Sequence, residues 1–281
     1  MRTLPMPPHV SADVLAKCIG GVNDLALVAR LQAIQLQLVA TATSYHQYAQ
    51  TRDLHQVPRV QTVGAVTRAE LEALYSDQMS ATRGAARAIY NAIRNAPPNG
   101  KCPLCGIGTV TVLDHHLPKS RYPDLSVCPY NLVPACDFCN NAKRMKYPTT
   151  AGEQTIHPYY DDYTQEQWIV AELNTAGPPV LVFHVDAPAH WPQLARDRAK
   201  RHFDVVKLGQ SYTSNANDDL MPLRGHLIRI SETKGEVGVQ AYLLEEQTRY
   251  AGRLNSWQHV TYSTLAANPW FVAGGYLAIP E

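Results

Sequence analysis

Apolar residues recur at gaps of three and four through most of the first hundred positions, which is the spacing of one helix face. Between residue 11 and about residue 50 the pattern is broken at Gly20-Gly21, so it predicts a short helix followed by a longer one. Thr67-x-x-Glu70 has the form of a capping box, and the run after it predicts a helix over about 71–93, ended by Pro97-Pro98. We expect these helices to supply the core of this part of the chain.

The pattern changes after residue 148. Apolar runs at about 168–173 and 180–185 predict two strands joined by a Gly-Pro-Pro turn, and helical patterns follow at about 190–208, 217–231 and 236–256. The predicted fold class is therefore α+β, a mostly helical chain with small β elements. It divides into a helical N-terminal region (1–98), a central module (99–148) and an α+β, mainly helical C-terminal region (149–281).

Composition places the chain among ordinary globular proteins. It has 281 residues, 45% of them hydrophobic and 17% charged, which excludes a disordered or fibrous chain and allows about two domains. The first residues lack the apolar core of a signal peptide, and no stretch approaches the ~18 unbroken apolar residues of a membrane span. We expect a cytoplasmic protein without a membrane partner.

The net charge of +1 hides an uneven distribution. Residues 1–98 carry nine Lys and Arg against six Asp and Glu, residues 99–148 carry six against three, and residues 149–281 carry ten against fifteen. A basic first half is compatible with a polyanion bound there, although an excess of three charges in each of two regions is a weak signal.

Four of the six cysteines form two Cys-x-x-Cys pairs, Cys102/Cys105 and Cys136/Cys139. Two such pairs about 30 residues apart, in a chain expected to be in a reducing compartment, favour a tetrahedral thiolate zinc site over disulfides. A redox Cys-x-x-Cys pair is the alternative. Cys18 and Cys128 are interpreted as small buried hydrophobic residues.

The segment between and after the cysteine pairs holds the other candidate residues. This segment resembles the HNH nuclease family, whose pattern is Asp-His-x-x-Pro, then Asn-Leu, then Cys-x-x-Cys followed by His or Asn and, three residues on, Lys. The match covers about 50 residues and keeps the order and spacing of that pattern. The residues that carry it are Asp114, His115, Pro118, Asn131, Leu132, Cys136, Cys139, Asn140 and Lys143.

The resemblance implies a ββα-metal module with a structural zinc site formed by the four paired cysteines. His115 would be the base that activates water, and Asn131 would pin the loop that orients it. Asp114 and Asn140 offer the hard oxygen ligands that suit Mg²⁺ or Mn²⁺. The positively charged side chains near the end of the helix would contact backbone phosphates, namely Lys143, Arg144 and Lys146.

Two positions depart from the family pattern or leave it ambiguous. Asn140 stands where many members have His, which shifts the metal preference towards a hard cation. His116 is a second candidate base, since adjacent histidines share metal binding and catalysis in colicin-type toxins, but the Asp-His-x-x-Pro register favours His115. Further along, His157 with Asp161 and Asp162 could form a second metal site, although a turn with solvated acids is the favoured interpretation.

Two functions follow as hypotheses. The first is a metal-dependent HNH endonuclease that hydrolyses DNA, acting in restriction or phage defence with a regulatory partner such as an ATPase, or as a homodimer that cuts both strands. The second is a catalytically inactive zinc-knuckle module that binds nucleic acid or protein. The joint presence of Asp114, His115, Asn131, Asn140 and Lys143 favours the first, because a binding module needs few of them.

Overall fold

The computed structural model describes residues 2–280 and divides them into two compact units. We call Arg2–Asp162 the N-terminal unit and the part from Tyr163 onward the C-terminal unit. Both predicted region boundaries, after residues 98 and 148, fall inside the N-terminal unit. The central module therefore shares a compact unit with the helices that precede it.

The N-terminal unit begins with the two predicted helices, α1 (Ser11–Ile19) and α2 (Leu25–Thr51). They are separate because α1 ends at Gly20 and the Asp24 carboxylate caps α2 by accepting hydrogen bonds from the backbone N–H groups of residues 26 and 27. A short hairpin follows, formed by the two-residue strands β1 (Thr62–Val63) and β2 (Val66–Thr67).

The helix predicted over 71–93 is interrupted, so this prediction was wrong in its continuity. The structure has α3 (Arg68–Ala73), a π-helical segment (Leu74–Ser80), a break, and α4 (Arg87–Arg94). The break is close-packed, since a Cβ atom on Gly84 would lie 2.4 Å from the carbonyl oxygen of Gln78. Apolar residues on both sides of it reach the same core as α1 and α2.

The predicted capping box is confirmed and is joined by an ion pair. Thr67 accepts from the Glu70 N–H, and the Glu70 carboxylate accepts from the Thr67 N–H and, at 2.7 and 3.0 Å, from both terminal nitrogens of Arg30 on α2. The bonds from Arg30, followed by those from Thr67, lower the pKa of Glu70 to about 2.

Replacing Glu70 by glutamine is expected to lower the free energy of unfolding by about 0.5 to 1 kcal/mol near neutral pH, because a bidentate pair is lost at a half-exposed site. A carboxylate with a depressed pKa stabilises the fold above its unfolded pKa of 4.5, and this contribution is lost as the pH falls towards 2. Urea unfolding of wild type and Glu70→Gln should therefore differ at neutral pH and converge in acid. Glu72→Gln, which removes a looser pair with Arg68, is the control; a constant Glu70→Gln difference at every pH would contradict the prediction.

The cysteine pairs flank a second hairpin, β3 (Val112–His115) and β4 (Leu132–Ala135), in an antiparallel register that pairs Asp114 with Val133. Helix α5 (Asp137–Lys143) follows β4 directly. Side chains of this hairpin, including Leu113 and Leu132, are buried in one core cluster with the helices α1 to α4. The ββα arrangement is thereby held against the N-terminal helices.

The C-terminal unit contains the two predicted strands, β5 (Ile169–Asn174) and β6 (Val180–Val185), which pair as an antiparallel hairpin. Its helices are α6 (Gln193–Val205), α7 (Leu208–Arg249), α8 (Trp257–Ala266) and α9 (Pro269–Val272). The hairpin packs against α7 and α8.

The two helices predicted at 217–231 and 236–256 meet at an interruption of α7 at Gly235, and α7 as a whole begins earlier, at Leu208, and ends earlier, at Arg249. Helix α7 contains Pro222 and is kinked at Gly235, whose φ of 60° and ψ of −162° are not helical. At the level of class, the prediction is confirmed: the fold is α+β and 56% helical.

One helix of the described chain, α2, is long and apolar enough by length and composition to cross a membrane, which the sequence reasoning did not anticipate. Only 22% of its most apolar window is buried, but its inward residues, such as Leu31, Leu38 and Tyr45, belong to the core. A single helix of this kind is weak evidence for a membrane span, because core helices pass the same test.

Candidate functional site

The four cysteines of the two pairs converge as predicted. Their Sγ atoms all lie within 4.8 Å of one another, all four side chains are buried, and none forms a disulfide. The first pair lies in a tight turn in which Gly106 has a φ of 74°, and the second pair brackets the first turn of α5. A Cβ atom on Gly108 would lie 2.6 Å from the Cys136 Sγ, so the site also depends on that glycine.

The donor set fits zinc. A Zn–S bond of about 2.3 Å implies tetrahedral S–S edges of about 3.8 Å, and the Sγ atoms of Cys105 and Cys136 are 3.9 Å apart. Hydrogen bonds among the four thiols lower the pKa of Cys105 and Cys136 and raise that of Cys102 and Cys139, so the thiols share protons with one another and the case for zinc depends on their geometry. These four cysteines can hold a structural zinc ion.

Asp114 and Lys143 form a buried ion pair that joins β3 to the last turn of α5. The Lys143 Nζ lies 2.9 Å from Asp114 Oδ2 and donates to Asp114 Oδ1 at 3.2 Å and to the backbone oxygen of His115 at 2.6 Å. Burial raises the pKa of Asp114, and the lysine opposes that rise. Each buried charge is therefore compensated by the other.

His115 lies in a closed environment. Its Nε2 is 2.8 Å from the carbonyl oxygen of Ser126, and its ring meets the edge of Tyr75 with 4.4 Å between ring centres. Because a carbonyl oxygen only accepts, Nε2 carries the proton and Nδ1 is the basic nitrogen. Burial lowers the pKa of His115 to about 3, so the ring is neutral. Tyr75, which is part of the π-helical segment, in turn donates to the Leu113 carbonyl.

Asn131 is fully buried and organises the loop between β3 and β4. Its side chain accepts from the N–H of Leu117 at 2.7 Å and donates to the carbonyl oxygens of Leu117 and Leu125 at 3.0 and 3.3 Å. Leu125 precedes Ser126, whose carbonyl oxygen bonds to His115. Asn131 therefore holds the segment that orients His115.

The remaining predicted residues lie on or after α5. Asn140 is half-buried, and its side chain makes no hydrogen bond within the described part of the chain. Arg144 and Lys146 are exposed and donate only to backbone oxygens of residues 141 and 142. None of these contacts joins them to Asp114 or His115.

His116 belongs to a second cluster of side chains, which the sequence did not reveal. Its ring centre is 4.2 Å from that of His157, whose Nε2 lies 3.1 Å from the Tyr45 hydroxyl. Asp161 is buried, accepts from the backbone N–H of His157 and pairs with Arg52, so the interpretation of Asp161 as a solvated acid was wrong. Residues from α2, the bend that follows β3 and the 157–161 turn meet here, and no local motif indicates this contact.

Comparison with known proteins gives one informative similarity. The chain is 28% identical to Protein ea31 of Escherichia phage lambda over 298 positions, which cover 98% of this chain and 100% of that protein. No family model matches the chain, and no solved structure matches it. The name of the phage protein states no activity, so the assignment of function depends on the site.

Proposed function

We propose that this protein is a metal-dependent endonuclease of the HNH type that hydrolyses phosphodiester bonds in DNA. The observation that carries the proposal is the buried Asp114–Lys143 pair that joins β3 to α5, with Lys143 also bonded to the backbone oxygen of His115, in a strand–strand–helix arrangement that also carries four clustered cysteines. β3 and α5 thus carry a candidate base, a hard oxygen ligand and a cation, which are the groups that phosphodiester hydrolysis requires.

The donor types suit Mg²⁺ or Mn²⁺, because Asp114 offers a carboxylate oxygen and Asn140 a free amide oxygen. When bound, the ion would polarise the phosphate and neutralise the charge that develops on its oxygens. Both Asp114 oxygens now lie within 3.2 Å of the Lys143 Nζ, so metal binding requires this lysine to release at least one of them. A released Lys143 is then free to contact phosphate.

The protein side chains have distinct roles in this proposal. His115 accepts a proton from water at Nδ1, while the bond to the Ser126 carbonyl keeps the other nitrogen protonated. Asn131 positions the loop that carries this carbonyl. Arg144 and Lys146 are exposed for contact with backbone phosphates. A role in restriction or phage defence, beside an ATPase partner, has only the family resemblance as support.

One observation favours the alternative, a catalytically inactive zinc-knuckle module that binds nucleic acid or protein. His115 is only 7% exposed, and Tyr75 covers it. For catalysis, the π-helical segment that carries Tyr75 has to move or the ring has to rotate. A binding module has no such requirement.

Cleavage of supercoiled plasmid decides between the two. We expect wild-type protein to nick or linearise the plasmid with added Mg²⁺ or Mn²⁺ and to be inactive when neither ion is added, with its structural zinc still bound. Asn140→Ala should abolish cleavage, because it removes a metal ligand without breaking a hydrogen bond, whereas Asn141→Ala, an exposed neighbour, should retain it. If wild type leaves plasmid, single-stranded DNA and RNA intact with either metal, the nuclease proposal is wrong and the binding module replaces it.

A further inference from the structure

Two arginines from distant parts of the N-terminal unit converge on one tyrosine. Arg59 donates to the Tyr147 hydroxyl at 2.8 Å and its guanidinium carbon lies 5.2 Å from the centre of that ring, while the guanidinium carbon of Arg121 lies 6.0 Å from it. The buried Tyr122 supports Tyr147 edge-on, with 6.1 Å between ring centres. We call Arg59, Arg121 and Tyr147 the arginine–tyrosine patch.

The positive charges of this patch are not neutralised. Arg59 and Arg121 are both exposed, and neither forms an ion pair with a carboxylate within residues 2–280. The nearest acid by sequence, Asp124, is half-buried, and burial raises its pKa to about 6. The arginines are instead held by an aromatic ring, which fixes their guanidinium groups and leaves their remaining N–H donors for a ligand.

Two residues of the patch are close in sequence to residues of the candidate site. Tyr147 follows Lys143 by four residues, so their Cα atoms are at most about 14 Å apart. Arg121 lies six residues after the end of β3, in a turn where its N–H donates to the Pro118 carbonyl at 2.8 Å. One DNA strand advances about 3.4 Å per nucleotide along the axis, so the patch is within a few nucleotides of the site.

We infer that the arginine–tyrosine patch binds the phosphodiester backbone of DNA on one side of the bond to be cleaved. This inference rests on the proposed function for its choice of DNA. Arginine forks bind phosphate oxygens in bidentate fashion, and such contacts position the duplex without reading its sequence. The Tyr147 hydroxyl presents Arg59 in a fixed orientation, so it acts as a positioning residue for the contact.

The test is fluorescence anisotropy with a short fluorescein-labelled duplex, without added Mg²⁺ or Mn²⁺ and without a chelator, so that cleavage does not interfere and the structural zinc stays bound. The double variant Arg59→Ala/Arg121→Ala is expected to bind roughly tenfold more weakly at low salt, and the slope of log K against log salt should fall by about 1 for each arginine. The corresponding double lysine variant should keep most of the slope but lose affinity, since lysine keeps the charge without the fork. Tyr147→Phe should give an intermediate loss.

The control is Arg229→Ala, an exposed arginine of the C-terminal unit without an ion pair in the described chain. Zinc content and the thermal transition of every variant establish that it is folded. Wild-type affinity and salt slope in the double alanine variant would overturn the inference even if the protein cleaves plasmid. Conversely, arginine-dependent DNA binding by a protein that does not cleave DNA would support the role of the patch and contradict the proposed nuclease activity. Failure of the inference and failure of the proposed function can therefore be told apart. A patch that binds RNA but not duplex DNA would also overturn the inference as stated.

Discussion

Replacing Cys139 by alanine is expected to release the bound zinc ion and to unfold much of the N-terminal unit near room temperature. Cys139 is completely buried in the first turn of α5, and its Sγ lies within 4.8 Å of the other three. A structural zinc site of this kind contributes about 10 to 16 kcal/mol of apparent binding energy to folding. Loss of even half of that energy is comparable with the whole net stability of a typical domain, about 5 to 15 kcal/mol.

The measurement is zinc content per chain together with the thermal transition of purified protein. Cys128→Ala is the matched control, because Cys128 is 4% exposed but lies outside the four-cysteine cluster and packs against α2. It should keep one zinc ion per chain. Its free energy of unfolding should fall only slightly, because the smaller side chain leaves a small cavity. Absence of zinc from the wild type would show that the cluster does not bind the ion, and an unchanged transition in Cys139→Ala would show that a bound ion is not structural.

Local patterns predicted the elements whose cause is local. The capping box at Thr67 and Glu70, the break between α1 and α2, and the β5–β6 hairpin each depend on residues that are close in sequence. The interruption between α3 and α4 could not be predicted this way. Both segments direct their apolar residues into the same core, so the spacing of three and four persists across a π-helical segment and a break.

The candidate site likewise contains features that the sequence predicts and features that depend on tertiary structure. Cysteine spacing predicted the four-cysteine cluster, because the tetrahedral geometry of zinc restricts how pairs of thiolates can be arranged. The closed environment of His115 was not predictable, since Tyr75 is 40 residues away and its ring is placed by the packing of a π-helical segment. Arg59 and Tyr147, separated by 88 residues, are likewise joined only by tertiary structure.

The two adjacent histidines make the mechanism testable, because their rings lie in different surroundings. His115 is bonded to the Ser126 carbonyl, whereas His116 packs against His157. If plasmid cleavage occurs, His115→Ala should lower its rate by about 10² to 10⁴, the usual contribution of a general base. His116→Ala should lower it by less than about tenfold, because that ring supports packing and not proton transfer.

Single-turnover rates at saturating metal separate these outcomes, provided that both variants keep their zinc. A general base can be replaced chemically, so imidazole added to His115→Ala should restore part of the rate, and the same addition should leave His116→Ala unchanged. A merely structural role for His115 would give no rescue, because imidazole restores a proton acceptor but not the packing against Tyr75. If His116→Ala is instead the inactive and rescued variant, His116 is the base and the assignment of this role to His115 is wrong.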